Sequence, residues 1–149
     1  MRTKVNEISI SYNQKLKNND RQKLNNSQEV ANYLRSLWNT DTLHIHESFV
    51  VLLLNNSNHV NGFYTLSTGG ITMTCVDIRI LFAIVLKSLS TSIILAHNHP
   101  SGNLKPSESD KKLTQKIIKA GELLDIKVLD HLIIAPNESY YSFADNHII

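Results

Sequence analysis

HNHPSG, residues 97–102, follows the short apolar run 92–96 and precedes Ser107 and Asp110. The apolar run predicts a buried strand, and because strand side chains repeat with a period of two, His97 and His99 point the same way at its end. Asp110 lies eleven residues after His99, in the first turn of a helix predicted to begin at Ser107. Two imidazoles and one carboxylate are three ligands, which leave one position of a tetrahedral zinc open for water. The pattern therefore predicts a catalytic rather than a structural zinc site.

Ser107 and Asp110 also have a simpler interpretation. A serine followed three residues later by an acid is typical of a capping box at a helix N-terminus. The Ser107 hydroxyl either accepts a backbone hydrogen bond as a cap or donates one to the oxyanion formed during amide hydrolysis. A His-x-His pair is weak evidence by itself, since most such pairs are surface or packing histidines. Pro100, Ser107 and Asp110 at these intervals strengthen the metal interpretation.

The composition is that of an ordinary globular protein. Of the 149 residues, 42% are hydrophobic and 19% are charged, and this length suits one domain that buries a sizeable core without disulfides. The single cysteine, Cys75, excludes an intramolecular disulfide framework and cysteine-rich zinc sites, and we expect it to be a small core residue. The first 25 residues lack the pattern of a signal peptide, and no apolar run reaches the roughly 18 residues of a membrane span. We therefore expect a cytoplasmic protein without membrane contact.

Positive charge is concentrated at the N-terminus. Residues 1–23 carry six Lys/Arg against two Asp/Glu, a net +4, whereas residues 24–149 carry nine against eleven, a net −2. We divide the chain into a basic N-terminal arm, 1–26, and one domain, 27–149. Such an arm can contact nucleic-acid phosphates, but scattered terminal cations are more often solvated, and Tyr12 is the only aromatic side chain there that could stack on a base.

Hydrophobic patterning predicts a mixed α/β sheet sandwiched by helices. The expected strands are 4–12, 49–54, 59–67, 71–74, 92–96, 126–135 and 140–143, and the expected helices are 27–38, 76–89 and 107–124. Ser27 is the expected N-cap of the first helix. The continuous apolar run 49–54 predicts a strand buried on both faces, and helix 76–89 is apolar enough to be largely buried.

The region around the two histidines resembles a known family. His97-x-His99-Pro100, followed after Pro106 by Ser107-x-x-Asp110, resembles the JAMM motif of MPN+/JAB-domain metalloproteins. The segments AHNHPSGNLKPSESD, LLDIKVLDHLII and YYSFAD are similar to the RadC-like bacterial branch, and the likeness extends from about residue 47 to the C-terminus. The resemblance implies the JAB/MPN fold, which is cytidine-deaminase-like, with helices flanking a curved mixed sheet. It also implies one zinc ion held by His97, His99 and Asp110.

The family also uses an upstream glutamate as general acid/base, and the resemblance places Glu47 in that role. From the residues alone, Glu47 is a solvent-facing residue at the start of a strand. The implied activity is that of a zinc-dependent JAMM-type peptidase or isopeptidase, which cleaves an amide bond in a peptide or protein substrate while Ser107 helps to hold the oxyanion.

One departure from the family makes its DNA-repair role transfer poorly to this chain. Longer RadC-like proteins carry a helix-hairpin-helix region before the JAB domain, but residues 1–45 hold one predicted helix and no glycine. We therefore expect a short form without that region. The alternative function is that of a DNA-repair or mobile-element accessory protein that binds nucleic acid.

Other polar residues have less specific interpretations. Adjacent strand residues face opposite sides, so Asp130 and His131 cannot both reach the metal, and we favour a structural role for the pair. Asn98 either positions substrate or shapes the loop around the histidines. His44 and His46 lack a third ligand at a meaningful spacing, and we expect them to be exposed.

Overall fold

Three α-helices and five β-strands form the part of the chain that the computed structural model describes, which is residues 4–9, 11–70 and 75–149. In chain order they are α1 (Ser27–Leu37), β1 (Ser48–Leu54), β2 (Val60–Thr68), α2 (Ile78–Lys87), β3 (Ser92–Asn98), α3 (Glu108–Leu123), β4 (Lys127–Ile134) and β5 (Tyr140–Ser142). A short 3-10 turn, Asn18–Asp20, precedes α1. The strand predicted at 71–74 lies outside the described residues.

The strands form one mixed sheet in the order β2-β1-β3-β4-β5. Among the described strands only β3 and β4 are parallel neighbours, and α3 provides the crossover between them, as a parallel pair requires. The other neighbours are antiparallel, and Phe49 of β1 lies opposite His97 of β3. This confirms the predicted mixed α/β sheet flanked by helices and is consistent with a JAB-type fold.

The two faces of the sheet bury separate cores, which confirms that β1 is buried on both faces. Val50, Leu52 and Leu54 face the helix α1. The alternate residues of β1, Phe49, Val51 and Leu53, face α2 and α3 on the other side. The odd-numbered residues of β1 and β3 therefore point toward α3. This alternation of side chains, the strand parity, determines which polar residues can meet on the α3 side of the sheet.

The prediction that Ser27 is the N-cap of the first helix was wrong, because Asn26 holds that position and the helix itself begins at Ser27. The Asn26 Oδ1 accepts a hydrogen bond from the Glu29 backbone N–H at 2.9 Å. Both residue types are good caps, so the choice depends on their surroundings. The Ser27 hydroxyl instead contacts the Tyr140 hydroxyl at 3.0 Å and donates to Asp145 at 2.5 Å, which joins the start of the helix to the C-terminal segment.

Helix α2 is less buried than its composition predicts. It buries Leu81, Phe82 and Val85, but Ile80 and Leu86 are each 49% exposed. The prediction was wrong because the helix covers one side of the sheet and its outer face has no neighbour among the described elements. None of the helices that the structure describes is both long and apolar enough to cross a bilayer.

The predicted N-terminal edge strand is also absent from the described residues. Residues 4–9, 11 and 12 have no regular secondary structure, although their apolar residues alternate. A later segment occupies part of the β2 edge instead, since the Val60 N–H donates to the Gln22 carbonyl at 2.9 Å and the Leu24 N–H donates to the Asn58 carbonyl at 3.1 Å. Leu24 is buried in the core on the α1 side. The division of the chain at residue 26 stays a prediction.

A close approach between α3 and the following turn requires a glycine. A Cβ at Gly121 would lie 2.5 Å from the backbone oxygen of Ile126, whose N–H already donates to the Gly121 carbonyl. Alanine in a helix normally stabilises by about 1 kcal/mol relative to glycine. For Gly121→Ala we expect the opposite sign, a loss of ~1–3 kcal/mol in unfolding free energy, because the backbone must move.

Urea unfolding of this variant tests the expectation. Gly62→Ala is the matched control, because no atom lies within 4 Å of the Cβ it would add. A Gly121→Ala protein as stable as the unaltered one would show that the turn after α3 adjusts freely.

Candidate metal centre

Four side chains from three parts of the fold converge on the α3 side of the sheet. They are Glu47, His97, His99 and Asp110, and one ligand atom from each lies within 4.8 Å of all the others. The Nε2 atoms of His97 and His99 are 2.9 Å apart, and the Asp110 Oδ2 lies 3.4 Å from the first and 3.5 Å from the second. The structure therefore brings together the three predicted ligands and the predicted acid/base.

Strand parity explains why Glu47 and the histidines share one side. His97 and His99 are two residues apart at the end of β3, and Phe49 pairs with His97 across the sheet. Glu47 precedes Phe49 by two residues and therefore projects toward the same side. Its backbone is held by the hairpin, since its N–H donates to Gly70 at 3.0 Å and its carbonyl accepts from Gly69 at 2.8 Å.

The start of α3 supplies both the cap and the third predicted ligand. The Asp110 N–H donates to the Ser107 Oγ at 3.0 Å, and the Ser107 N–H donates to the Asp110 Oδ2 at 2.8 Å, which completes a capping box. The same Oδ2 faces both imidazoles, so capping and ligation are compatible for Asp110. Capping uses the Ser107 oxygen as an acceptor and leaves the hydroxyl proton able to donate elsewhere.

The His97 nitrogen that faces away from His99 and Asp110 contacts a buried histidine, His131. His131 was not predicted from the sequence as part of the site. The His97 Nδ1 lies 2.7 Å from the Nε2 of His131, and the Nδ1 of His131 lies 2.6 Å from the Thr114 hydroxyl. That hydroxyl donates to the Asp110 carbonyl at 2.7 Å, so it accepts from the His131 Nδ1–H. Burial lowers the pKa of His131 well below its ordinary value, which favours the neutral ring. Its Nε2 is therefore an acceptor, and His97 donates from Nδ1.

These hydrogen bonds point two lone pairs at each other. With the proton of His97 on Nδ1, its Nε2 is unprotonated, and the His99 Nδ1 similarly donates to the Asn103 carbonyl at 2.5 Å. Two nitrogen lone pairs 2.9 Å apart repel unless a cation or a proton lies beside them. Ligand atoms about 2.0 Å from a tetrahedral zinc would be about 3.3 Å apart, which is close to the nitrogen–oxygen separations at Asp110. The donor set therefore fits a divalent metal ion.

Charge and burial shift the pKa values in the same cluster. Burial raises the pKa of Glu47, although the nearby imidazoles oppose the shift. Burial also acts to raise the pKa of Asp110, but its contacts with His97 and His99 outweigh that effect and hold the pKa far below its usual range. For His99, burial lowers the pKa, but its contacts with Asp110 and Asn103 raise it overall. A proton on His99 thus competes with a metal, so metal binding weakens in acid.

Asn98 shapes the site instead of facing a substrate. Its side chain is fully buried on the opposite face of the sheet from His97. The amide nitrogen donates to the carbonyls of Leu43 and His46 at 3.0 and 2.7 Å, and the amide oxygen accepts from the Ser48 N–H at 2.7 Å. Asn98 therefore fastens the segment that carries Glu47 onto β3.

The structure separates Asp130 from His131, as strand parity requires. Asp130 accepts hydrogen bonds from the Ser142 hydroxyl at 2.6 Å and the Ala144 N–H at 3.0 Å, away from the metal centre. Burial raises the pKa of this carboxyl. The structural role expected for the pair therefore describes Asp130, whereas His131 contacts a predicted ligand.

The expectation for Cys75 was wrong. Its side chain is exposed, because it precedes α2 and does not belong to the buried face of that helix. His44 is exposed as expected, whereas His46 is only half-buried and lines a groove beside α1.

Comparison with known proteins agrees with the motif. The family model described as RadC-like JAB domain matches residues 24–148. A UPF0758 protein of Flavobacterium johnsoniae is 55% identical over 103 residues, which are 69% of this chain and 44% of the relative. The similar protein of Porphyromonas gingivalis is 45% identical over 103 residues, 69% of this chain and 45% of the relative. That of Chlorobaculum parvum is 33% identical over 131 residues, 88% of this chain and 57% of the relative. The chain thus spans about half the length of the curated relatives it matches.

Proposed function

The chain belongs to the RadC-like JAB domain family, and from that premise we propose that it is a zinc-dependent hydrolase of the JAMM type that cleaves a peptide or isopeptide bond. The observation that carries the proposal is the convergence of Glu47 with His97, His99 and Asp110. Three of these groups suffice to hold one zinc ion with an open position, and the fourth is a carboxylate suited to proton transfer.

Each residue has a distinct task in the proposed reaction. His97, His99 and Asp110 hold the zinc, which when bound polarises the substrate carbonyl and lowers the pKa of a bound water to about 7. Glu47 accepts the proton of the attacking water and delivers it to the leaving amine. Burial raises the pKa of Glu47, which brings this carboxylate closer to the neutral range where a group that both takes and gives a proton works best.

An extended polypeptide is the substrate class that the sheet can accept. Strand β2 is at the sheet edge, and residues 22–24 pair with its beginning. The other end of β2 pairs with the start of β1, next to Glu47. An added strand would gain backbone hydrogen bonds from that edge, while side-chain contacts would set specificity.

A cleavage screen tests this function directly. Zinc-loaded protein is incubated with a library of linear peptides and lysine-branched isopeptides, and new amino termini are detected by mass spectrometry. The proposal expects cleavage that stops when a chelator removes the zinc and returns when zinc is added. Cleavage that persists in the fully demetallated protein would contradict it.

Ser107 provides a more specific test of the site. Loss of one oxyanion donor typically lowers kcat by ~10²–10³-fold, and we expect this for Ser107→Ala because the variant has no hydroxyl to donate. The lost cap should also cost ~0.5–2 kcal/mol of unfolding free energy. Ser107→Thr is the matched control, since it keeps both the cap and the donor. If kcat of folded Ser107→Ala equals that of the unaltered enzyme, Ser107 is a cap alone.

A second candidate function, nucleic-acid binding, is favoured by a row of lysines on α3. Lys111, Lys112, Lys116 and Lys119 line one shallow surface groove, and only Lys111 has an ion pair among the salt bridges of the described residues, with Glu108 at 3.3 Å. Such a row can contact phosphates, as the basic arm can. DNA binding whose affinity falls steeply with salt, and falls further on removal of residues 1–25, would support this function.

A further inference from the structure

A buried chain of hydrogen bonds connects two of the proposed ligands behind the metal centre. It runs from the His97 Nδ1 to His131, from His131 to the Thr114 hydroxyl, and from that hydroxyl to the Asp110 carbonyl. His97, His131 and Thr114 are each at most 1% exposed. The chain thereby joins the end of β3 to the first turns of α3 through β4, which lies next to β3 in the sheet.

The direction of the chain is set by its last acceptor. A backbone carbonyl only accepts, so the Thr114 O–H points to Asp110 and the Thr114 oxygen receives the His131 Nδ1–H. For His131 to donate from Nε2 as well, it would need to be a buried cation, and among the described residues no carboxylate contacts its ring. His97 therefore donates to His131, and the other nitrogen of His97 is left unprotonated toward the metal centre.

Aromatic packing restricts both imidazoles. The His131 ring stacks on Phe143 with centroids 4.5 Å apart and meets the Phe49 ring edge-on at 5.4 Å. The His97 ring lies nearly parallel to Phe49, at 5° and 6.0 Å. Rotation of either ring would break these contacts and a hydrogen bond together.

A simple packing role does not account for this arrangement. A buried neutral imidazole loses its hydration, and an apolar residue would fill the same space without that cost. His131 instead uses both ring nitrogens, each within 2.7 Å of its partner. One partner, His97, is a proposed ligand, and the other, Thr114, donates to the backbone carbonyl of a second proposed ligand, Asp110.

We propose that His131 and Thr114 are positioning residues of the metal centre, which fix the tautomer and orientation of His97 and hold Asp110 at ligating distance from it. This inference rests on the proposed function for the identity of the ligands. Groups that hydrogen-bond to metal ligands contribute to metal affinity because they remove the freedom of the ligand before binding.

The decisive comparison is Thr114→Val with Thr114→Ser. Valine has the shape of threonine without the hydroxyl, so the chain breaks at both the His131 and the Asp110 contact, whereas serine keeps it. We expect Thr114→Val to weaken zinc binding by ~10- to 100-fold, measured by competition with a chromophoric chelator at neutral pH. Thr114→Ser should bind zinc nearly as tightly as the unaltered protein. Equal zinc affinity in folded Thr114→Val and Thr114→Ser would overturn the proposal.

A measurement on the metal-free protein separates this inference from the proposed function. In ¹⁵N-histidine-labelled protein, the His97 signals, identified by their loss in His97→Gln, should report a proton on Nδ1. In His131→Phe, which keeps a ring but no acceptor, the two tautomers of His97 should both be populated. An unchanged Nδ1–H tautomer would overturn the positioning role.

If the unaltered protein binds no zinc, the proposed function fails, but this tautomer test still decides whether His131 positions His97. If His131→Phe does not fold, the same spectra of Thr114→Val against Thr114→Ser decide the matter.

Discussion

Replacing Glu47 by glutamine should lower the rate of hydrolysis by about 10²–10⁴-fold while the protein retains its zinc. Glutamine has nearly the shape of glutamate but cannot take a proton from water. Glu47 is half-buried beside His97, His99 and Asp110, yet those three residues already provide the ligands that one zinc ion needs. The measurement combines kcat on a cleaved peptide with the zinc content of the same preparation.

Glu122→Gln is the matched control for this prediction. It makes the same chemical change at an exposed position near the end of α3, away from the metal centre, and should leave both readouts unchanged. If Glu47→Gln turns over substrate as fast as the control, Glu47 has no part in proton transfer. If it loses its zinc, Glu47 is a ligand.

Replacing Asp110 by asparagine should abolish the stabilisation that zinc gives to the fold. A ligand that binds only the folded state stabilises it by about 4 kcal/mol when its free concentration is a thousand times its Kd. Asparagine keeps a side-chain oxygen that can accept the Ser107 N–H, so helix α3 retains much of its cap, but the anionic ligand is lost. Thermal unfolding with zinc and with chelator should give clearly different Tm values for the unaltered protein and equal values for Asp110→Asn.

Glu108→Gln controls for charge at the start of α3. It removes an acid from the same turn, and Glu108 contacts Lys111 on the exposed side of the helix instead of the histidines. This variant should keep the zinc-dependent rise in Tm. An equal rise in Asp110→Asn would show that the carboxylate does not hold the metal.

The predicted ligands could be found from sequence because their spacing depends only on local backbone geometry, the period of a strand and the first turn of a helix. His97 and His99 are two positions apart, and a strand turns both side chains to one side whichever strands it pairs with. The serine and acid at the start of α3 are likewise a local pattern, and the structure forms that cap with the same Asp110 oxygen that faces the histidines.

The contacts of His131 and Asn98 could not be predicted from sequence, because they depend on which strands and segments become neighbours in the fold. Parity predicts that Asp130 and His131 face opposite sides, but not that β4 lies beside β3 with His131 next to His97. The role of Asn98 was ambiguous for the same reason, because its three partners are 50 to 55 residues away in the chain. The burial of α2 was overestimated because composition counts apolar residues without showing how much surface the sheet offers them.

The family model matches residues 24–148, and this range contains all four residues of the proposed metal centre. The curated relatives are about twice as long as the portion they share with this chain, so the substrate of this protein is to be found by experiment on its own domain.

A crystal structure of the protein grown with zinc would show whether His97, His99 and Asp110 converge on one ion that keeps an open coordination position. Anomalous scattering at the zinc edge should locate one ion bound by the Nε2 atoms of His97 and His99 and by the Asp110 carboxylate. A water should complete the tetrahedron within hydrogen-bond distance of the Glu47 carboxylate. A shell closed by a fourth protein atom, whether from Glu47 or from another residue, or three ligands turned away from a common point, would contradict the hydrolase assignment.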